Sequence, residues 1–266
     1  MPKLLAFVAL CLFASACATS ASLPPQAIEH NRLGAERLEA GRLDDAEARF
    51  RLALEFHPGF AEPHANLGLV MLERGDLAEA EHCFRAAIRI DPDFDEAWAN
   101  LGVVLLRMER VDDATRAFEE ALSIDPGHVG ARRNLADVWM MRSDFAQARG
   151  HLMRLVQLVD EPGTAPWARA NGMLAYAELR LGRTEAARAR AERVLAAKDR
   201  EPIARTVRGI LHAEAGDVAA ARADPAKRVA AVGREAVDGG LALAGGAGAA
   251  VDRDVGRARL VVGAVA

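Results

Sequence analysis

Two pairs of adjacent acids, Asp44–Asp45 and Asp112–Asp113, have the residue types for general acid–base work. His57, His64, His82 and His128 are possible metal ligands. His82 followed by Cys83 has the composition of a base and a thiol nucleophile. Spacing argues against each chemistry. The acid pairs sit in one fixed register of an internal repeat, which makes them helix-start residues. Metal ligands must converge on one point, and no HxH or HxxxH brings two histidines onto one turn. Neighbouring residues on a helix point apart, so His82 and Cys83 do not form a dyad. Cys83 reads as a small buried apolar residue. Ser20, Ser22, Ser123 and Ser143 lie in no nucleophile elbow, and no CxxC, CxxCH or HExxH occurs. The expectation is a protein that is not an enzyme and needs neither metal nor cofactor.

The acid pairs belong to a pattern that organises the chain. Residues 61–126 hold two copies of one motif, offset by 34 residues. Leu67-Gly68 returns as Leu101-Gly102, Ala80 as Ala114, Phe84 as Phe118, Ala87 as Ala121, and Asp91-Pro92 as Asp125-Pro126. An earlier copy supplies Leu33-Gly34, Gly41, Ala46, Phe50, Ala53 and Pro58. A fixed period of this size marks stacked supersecondary units. Gly34, Gly68 and Gly102 are expected where the partner helix crosses too closely for a Cβ. Phe50, Phe84 and Phe118 are expected to fill the wedge between units. Gly41 and Gly75 suit a turn with positive φ. Asp76 and the acid pairs are expected to accept bonds from free helix N–H groups and to complement the dipole.

These residues resemble the tetratricopeptide repeat, whose unit is a helix, a tight turn and a second helix. The resemblance implies an all-α, right-handed superhelical solenoid of five to six helix-turn-helix repeats. Repeats are expected near 27–60, 61–94, 95–128, 129–160, 168–201 and, in part, 202–224. Ser143 replaces the turn glycine of the fourth. A turn-rich insertion from Asp160 to Pro166 shifts the register by about five residues. The pattern fades at Pro225. Residues 225–266 are rich in Ala, Gly and Val, and read either as a disordered tail or as the product of a reading-frame error.

The amino terminus carries a different signal. Lys3 precedes an apolar run from Leu4 to Ala16, too short to span a bilayer comfortably. The sequence Ala14-Ser15-Ala16-Cys17 resembles a bacterial lipoprotein cleavage box, although Leu is commoner where Ala14 stands. That resemblance implies a signal peptide over 1–16, lipidation of Cys17, and a flexible tether over 17–26. The alternative is an ordinary signal peptide cut near Ala16 or Ala18. Ala18 follows the cysteine where an Asp would favour inner-membrane retention. The implied location is therefore the cell envelope, on the outer membrane and facing the periplasm. Of three cysteines, only Cys83 would remain as an unmodified thiol, so stability must come from the core. The chain is 51% apolar with only 5% aromatics, so that core is built mainly from Ala, Leu and Val. A net charge of −4 offers no basic footprint for nucleic acid.

The family resemblance implies that first helices line a concave groove. Its columns are Asn31, Ala65, Ala99 and Arg133; then Ala35, Leu69, Val103, Asp137 and Tyr176; then Leu38, Leu72, Leu106, Met140 and Leu179. Glu39, Glu73, Arg107, Met141 and Arg180 flank them. The third column reads equally as core between first helices. The candidate binding residues are Asn31, Ala65, Leu69, Leu72, Ala99, Val103, Leu106, Arg107, Arg133, Met140 and Tyr176. The Lys and Arg set with which some relatives clamp a C-terminal carboxylate is absent. The expected ligand is an extended or helical apolar segment of a protein partner. A lipoprotein leader followed by about six such repeats resembles the pilotin lipoproteins of type IV pili, which assist secretin assembly. The resemblance implies a secretin subunit as the partner. The alternatives are another envelope-assembly scaffold and a noncatalytic accessory subunit of an envelope enzyme.

Overall fold

The computed structural model describes residues 23–216, which form eleven α-helices and no strand. In chain order these are α1 (Pro25–Glu39), α2 (Leu43–Phe56), α3 (Ala61–Arg74), α4 (Leu77–Ile90), α5 (Asp95–Arg107) and α6 (Val111–Ile124). They continue as α7 (Val129–Met141), α8 (Phe145–Leu158), α9 (Ala165–Arg180), α10 (Thr184–Ala197) and α11 (Pro202–Glu214). Odd and even helices pair as hairpins from α1–α2 to α9–α10. Each even helix then packs on the next odd one. The result is a solenoid of stacked repeats, as the period implies. The leader over 1–16, Cys17 and the tail over 225–266 lie outside the described residues. No helix among the described residues is long and apolar enough to cross a membrane.

The repeat works as a ring laid on a glycine. Phe50, Phe84 and Phe118 are fully buried. A Cβ at Gly34, Gly68 or Gly102 would lie 2.5, 2.8 or 2.5 Å from the ring of Phe50, Phe84 or Phe118. The close approach expected at these glycines is therefore to the phenylalanine ring of the same repeat. Ala46, Ala80 and Ala114 are also fully buried and keep the two helices near each other.

Turn geometry persists where the glycine does not. Gly41, Gly75, Gly182 and Gly216 have φ between 71° and 85°. The equivalent turns of the third and fourth repeats place Glu109 at φ 61° and Ser143 at φ 57°. The left-handed residue ends the first helix and lets the second start at once.

The expected capping by aspartates is corrected by the structure. Asp76 is the N-cap of α4, but its side chain makes no capping bond. Arg42 and Arg110 are the N-caps of α2 and α6, so Asp44, Asp45, Asp112 and Asp113 lie within the first turn. There they complement the helix dipole. Some of them also tie neighbouring repeats: Arg74 holds Asp44 and, at 2.6 Å, Glu47, and Arg142 pairs with Asp112.

A second recurring bond explains one of the scattered histidines. His64 Nε2 donates to the Pro58 carbonyl at 3.0 Å, and Trp98 Nε1 donates to the Pro92 carbonyl at 2.9 Å. Arg132 makes the same bond to the Pro126 carbonyl. Three unlike side chains thus serve one purpose, closing the loop that ends the preceding repeat.

The fifth repeat departs from this plan. Its helix α9 starts at Ala165, earlier than the register start near Ala168, with Thr164 accepting from Trp167 N–H as N-cap. Ala191 stands where Phe84 stands in the second repeat. Glu178, at the place of Met71 and Leu105, is buried. Arg190 Nε donates to Glu178 at 3.1 Å and its Nη1 donates to Asn171 Oδ1 at 3.0 Å. Arg149 of α8 approaches the same carboxylate at 3.9 Å.

Candidate binding groove

The register sorts one face of the odd helices, the expected lining of the groove, into rows. Asn31, Ala65 and Ala99 are buried, so they give the floor little reachable surface. Leu69, Val103 and Tyr176 remain partly exposed, as do Leu106 and Met140. Leu72 and Leu179 are buried, whereas Leu38 is not. The third column is therefore part core and part surface: Leu72 is buried, while Leu106 and Met140 pack against the core and stay partly exposed. Arg107 is exposed, and its Nη1 donates to the Leu72 carbonyl of the preceding repeat at 3.3 Å. Arg133 is half-buried on α7.

A ledge beside these rows carries charge. Glu62 opens α3 and accepts from Asn31 Nδ2 at 2.9 Å, while Asn66 Nδ2 donates to Asn31 Oδ1 at 2.9 Å. Burial pushes the Glu62 carboxyl up to about 7 against the pull of the Asn31 bond. Glu96 holds the same place one repeat on, where Ala65 replaces Asn31 and offers no bond. Burial, with Asp95 and Asp125 nearby, pushes its carboxyl up to about 7 as well. Desolvation of a carboxylate without a cation has this sign.

Further along, Arg169 lies 3.7 Å from Asp137. Burial raises Asp137 while the charges of Arg169 and Arg133 pull it down. Arg180 stacks 4.5 Å over the Phe145 ring and donates to the Tyr176 hydroxyl at 3.0 Å. Glu62 and Arg169, which flank the candidate rows, were not among the residues the sequence singled out. The signal was available, since both hold the second place of their repeats.

The other chemical candidates have structural roles or none in common. Cys83 is buried and its thiol is pushed up to about 11 by burial, which suppresses the thiolate. His128 caps α7 by accepting from Ala131 N–H at 3.2 Å. No group of three or more His, Cys, Asp or Glu that could hold a metal occurs among the described residues. Cys17, the candidate lipidation site, lies outside them.

A tetratricopeptide repeat model matches residues 31–93, 66–128 and 173–236, and a second matches 105–168. The chain belongs to the tetratricopeptide repeat family. Tetratricopeptide repeat proteins are in general noncatalytic scaffolds, and the array is a scaffold of the kind that supports protein–protein interaction. No curated protein matches the chain. Among solved structures it is similar to pilF of Pseudomonas aeruginosa, at 21% identity and TM-score 0.64, covering 76% of this chain and 91% of that one. It is similar to YrrB, described as a TPR protein with an unusual peptide-binding site, at 19% identity and TM-score 0.55, covering 71% and 91%. It is also similar to MamA from Desulfovibrio magneticus, at 16% identity and TM-score 0.56, covering 67% and 98%. At these identities the likeness is one of fold.

Proposed function

We propose that this tetratricopeptide array is a lipid-anchored envelope scaffold that seats an apolar segment of a protein partner. The observation that carries the groove is the run of partly exposed apolar side chains on successive first helices: Leu69, Val103, Leu106 and Met140. Apolar side chains left partly open on successive helices are the kind of surface that marks partner binding. The anchor rests on Ala14-Ser15-Ala16-Cys17. Each buried methylene of an acyl chain contributes about 0.8 kcal/mol, so two or three chains at Cys17 would hold the protein durably.

The partner we favour is a type IV pilus secretin subunit, with the protein assisting its assembly in the outer membrane. A lipoprotein leader joined to a repeat array of this size supports that reading, as does the likeness in fold to pilF.

The experiment is a membrane pull-down with wild type and with Leu69→Glu/Val103→Glu. Loss of the secretin with retained helix content is the expected result; equal capture by both proteins sinks the groove. Cys17→Ser should move the protein to the soluble periplasm, and continued membrane retention would count against lipidation.

A further inference from the structure

The charged rows beside the groove are ordered along the solenoid. On the ledge, the residues read Glu62, Glu96, Gly130 and Arg169 from the second repeat to the fifth. On the opposite flank they read Glu39, Glu73, Arg107, Met141 and Arg180 from the first to the fifth. Both rows pass from acidic to basic in the same direction. The apolar strip of Leu69, Val103 and Leu106 runs between them.

Local pairing keeps the two ends distinct. Glu62 takes only the neutral amide of Asn31, and Glu96 faces Asp95 and Asp125. At the other end Arg169 lies 3.7 Å from Asp137, which Arg133 also draws down, and the Arg169 charge acts on Glu201 as well. The residue facing the ledge from the preceding helix follows the same trend: Asn31 faces Glu62, and Arg133 holds that place before Arg169.

We propose that the groove selects a peptide segment with a cationic residue at one end, an apolar middle and a carboxylate at the other. The Lys or Arg is seated against Glu62 and Glu96, the apolar side chains lie on Leu69, Val103 and Leu106, and the carboxylate reaches Arg169. This rests on the groove reading above and deepens it by naming the ligand chemistry. Successive first helices touch only lightly, so each step along the ledge is at least the roughly 8–10 Å of directly packed helices, and three steps span a minimum of about 25–30 Å. An extended chain covers that distance with about eight or nine residues. Such a ligand gives up its water only to groups of opposite sign, which supplies specificity more than raw affinity. The half-buried acids then gain the cation they lack in the free protein.

The test is selection from a displayed library of random peptides of about twelve residues, with the full chain as bait. The expected winners carry Lys or Arg separated by apolar residues from Asp or Glu. Resynthesised winners should bind Glu62→Gln/Glu96→Gln and Arg169→Gln roughly ten- to thirtyfold more weakly, the low end of the range for close charge pairs. They should also weaken in high salt. Leu69→Ser/Val103→Ser should abolish binding. Winners that need Leu69 and Val103 but show no charge order overturn this proposal and leave the groove intact. Winners indifferent to Leu69 and Val103, or no winners, overturn both.

Discussion

The ring-on-glycine packing predicts that one substitution changes sign with its background. An alanine at Gly68 would put its Cβ 2.8 Å from two ring carbons of Phe84. Carbon atoms rest about 3.5–4.0 Å apart, so the ring must retreat by roughly 0.7–1.2 Å. Phe84 is fully buried, and a core at crystalline density has no room for that movement. Overpacking costs about 1–3 kcal/mol. Alanine recovers about 0.5–1 kcal/mol over glycine in a helix interior. The net effect of Gly68→Ala is destabilisation by about 1–2 kcal/mol. Phe84→Ala alone should cost about 3–5 kcal/mol through the cavity it leaves. In that background the new methyl meets no ring, fills part of the cavity and keeps its helix propensity. Gly68→Ala should then stabilise by about 1 kcal/mol, a coupling of roughly 2–3 kcal/mol between the two sites. Urea denaturation of all four proteins, followed by far-UV circular dichroism, measures the cycle. The same sign of effect in both backgrounds would refute the packing.

Three further expectations follow from the same geometry. Glu109→Gly should raise stability by about 1 kcal/mol, because a non-glycine residue at φ 61° carries a left-handed penalty; a lower melting temperature would contradict this. Glu62 has a folded carboxyl near 7 against an ordinary 4.5, so between those values the native state holds a proton that the unfolded chain has lost. Its contribution is fully present below the lower value and is lost as pH rises through the higher one, and partial exposure limits the loss to about 1 kcal/mol. The gain in melting temperature from Glu62→Gln should therefore be larger near pH 8 than near pH 5, and a larger gain at the acid end would reverse the sign. Glu178→Ala strands Arg190 beside a buried Asn171 and should cost about 3–5 kcal/mol, whereas Glu178→Met/Arg190→Met should cost only the about 1–2 kcal/mol of leaving Asn171 Oδ1 without its donor. Equal losses in those last two proteins would remove the ion pair from the account.

The repeat was legible because its key residues are fixed by shape at a constant period. Leu67-Gly68 with Phe84 can be read from one copy and checked against two more. The capping role assigned to Asp76 was not legible, since a few degrees of backbone rotation decide whether a carboxylate meets an N–H or water. The left-handed turn at Glu109 was hidden because residue type alone gives no sign of it there. Leu72 and Leu106 share a column yet differ in burial. Glu178 and Arg190 were missed because twelve residues separate them, and only the hairpin brings them together.

The fifth repeat shows what the array exchanges when it abandons the aromatic lock. A ring over a glycine fixes the distance between two helices but is tolerant of sliding along them. The Asn171–Arg190–Glu178 network has direction as well as distance, since each bond needs a particular donor facing a particular acceptor. It therefore fixes how α10 is rotated and registered against α9. Arg149 extends the same control to α8 across the insertion at 160–166, where the even period is broken. That helix, α9, bears Arg169, Tyr176 and Arg180, which the proposed groove uses as its basic end. The acidic end rests on helices held by Phe50, Phe84 and Phe118. The two ends of one groove are thus positioned by different physics: shape complementarity at the first, and a directional ionic network at the second.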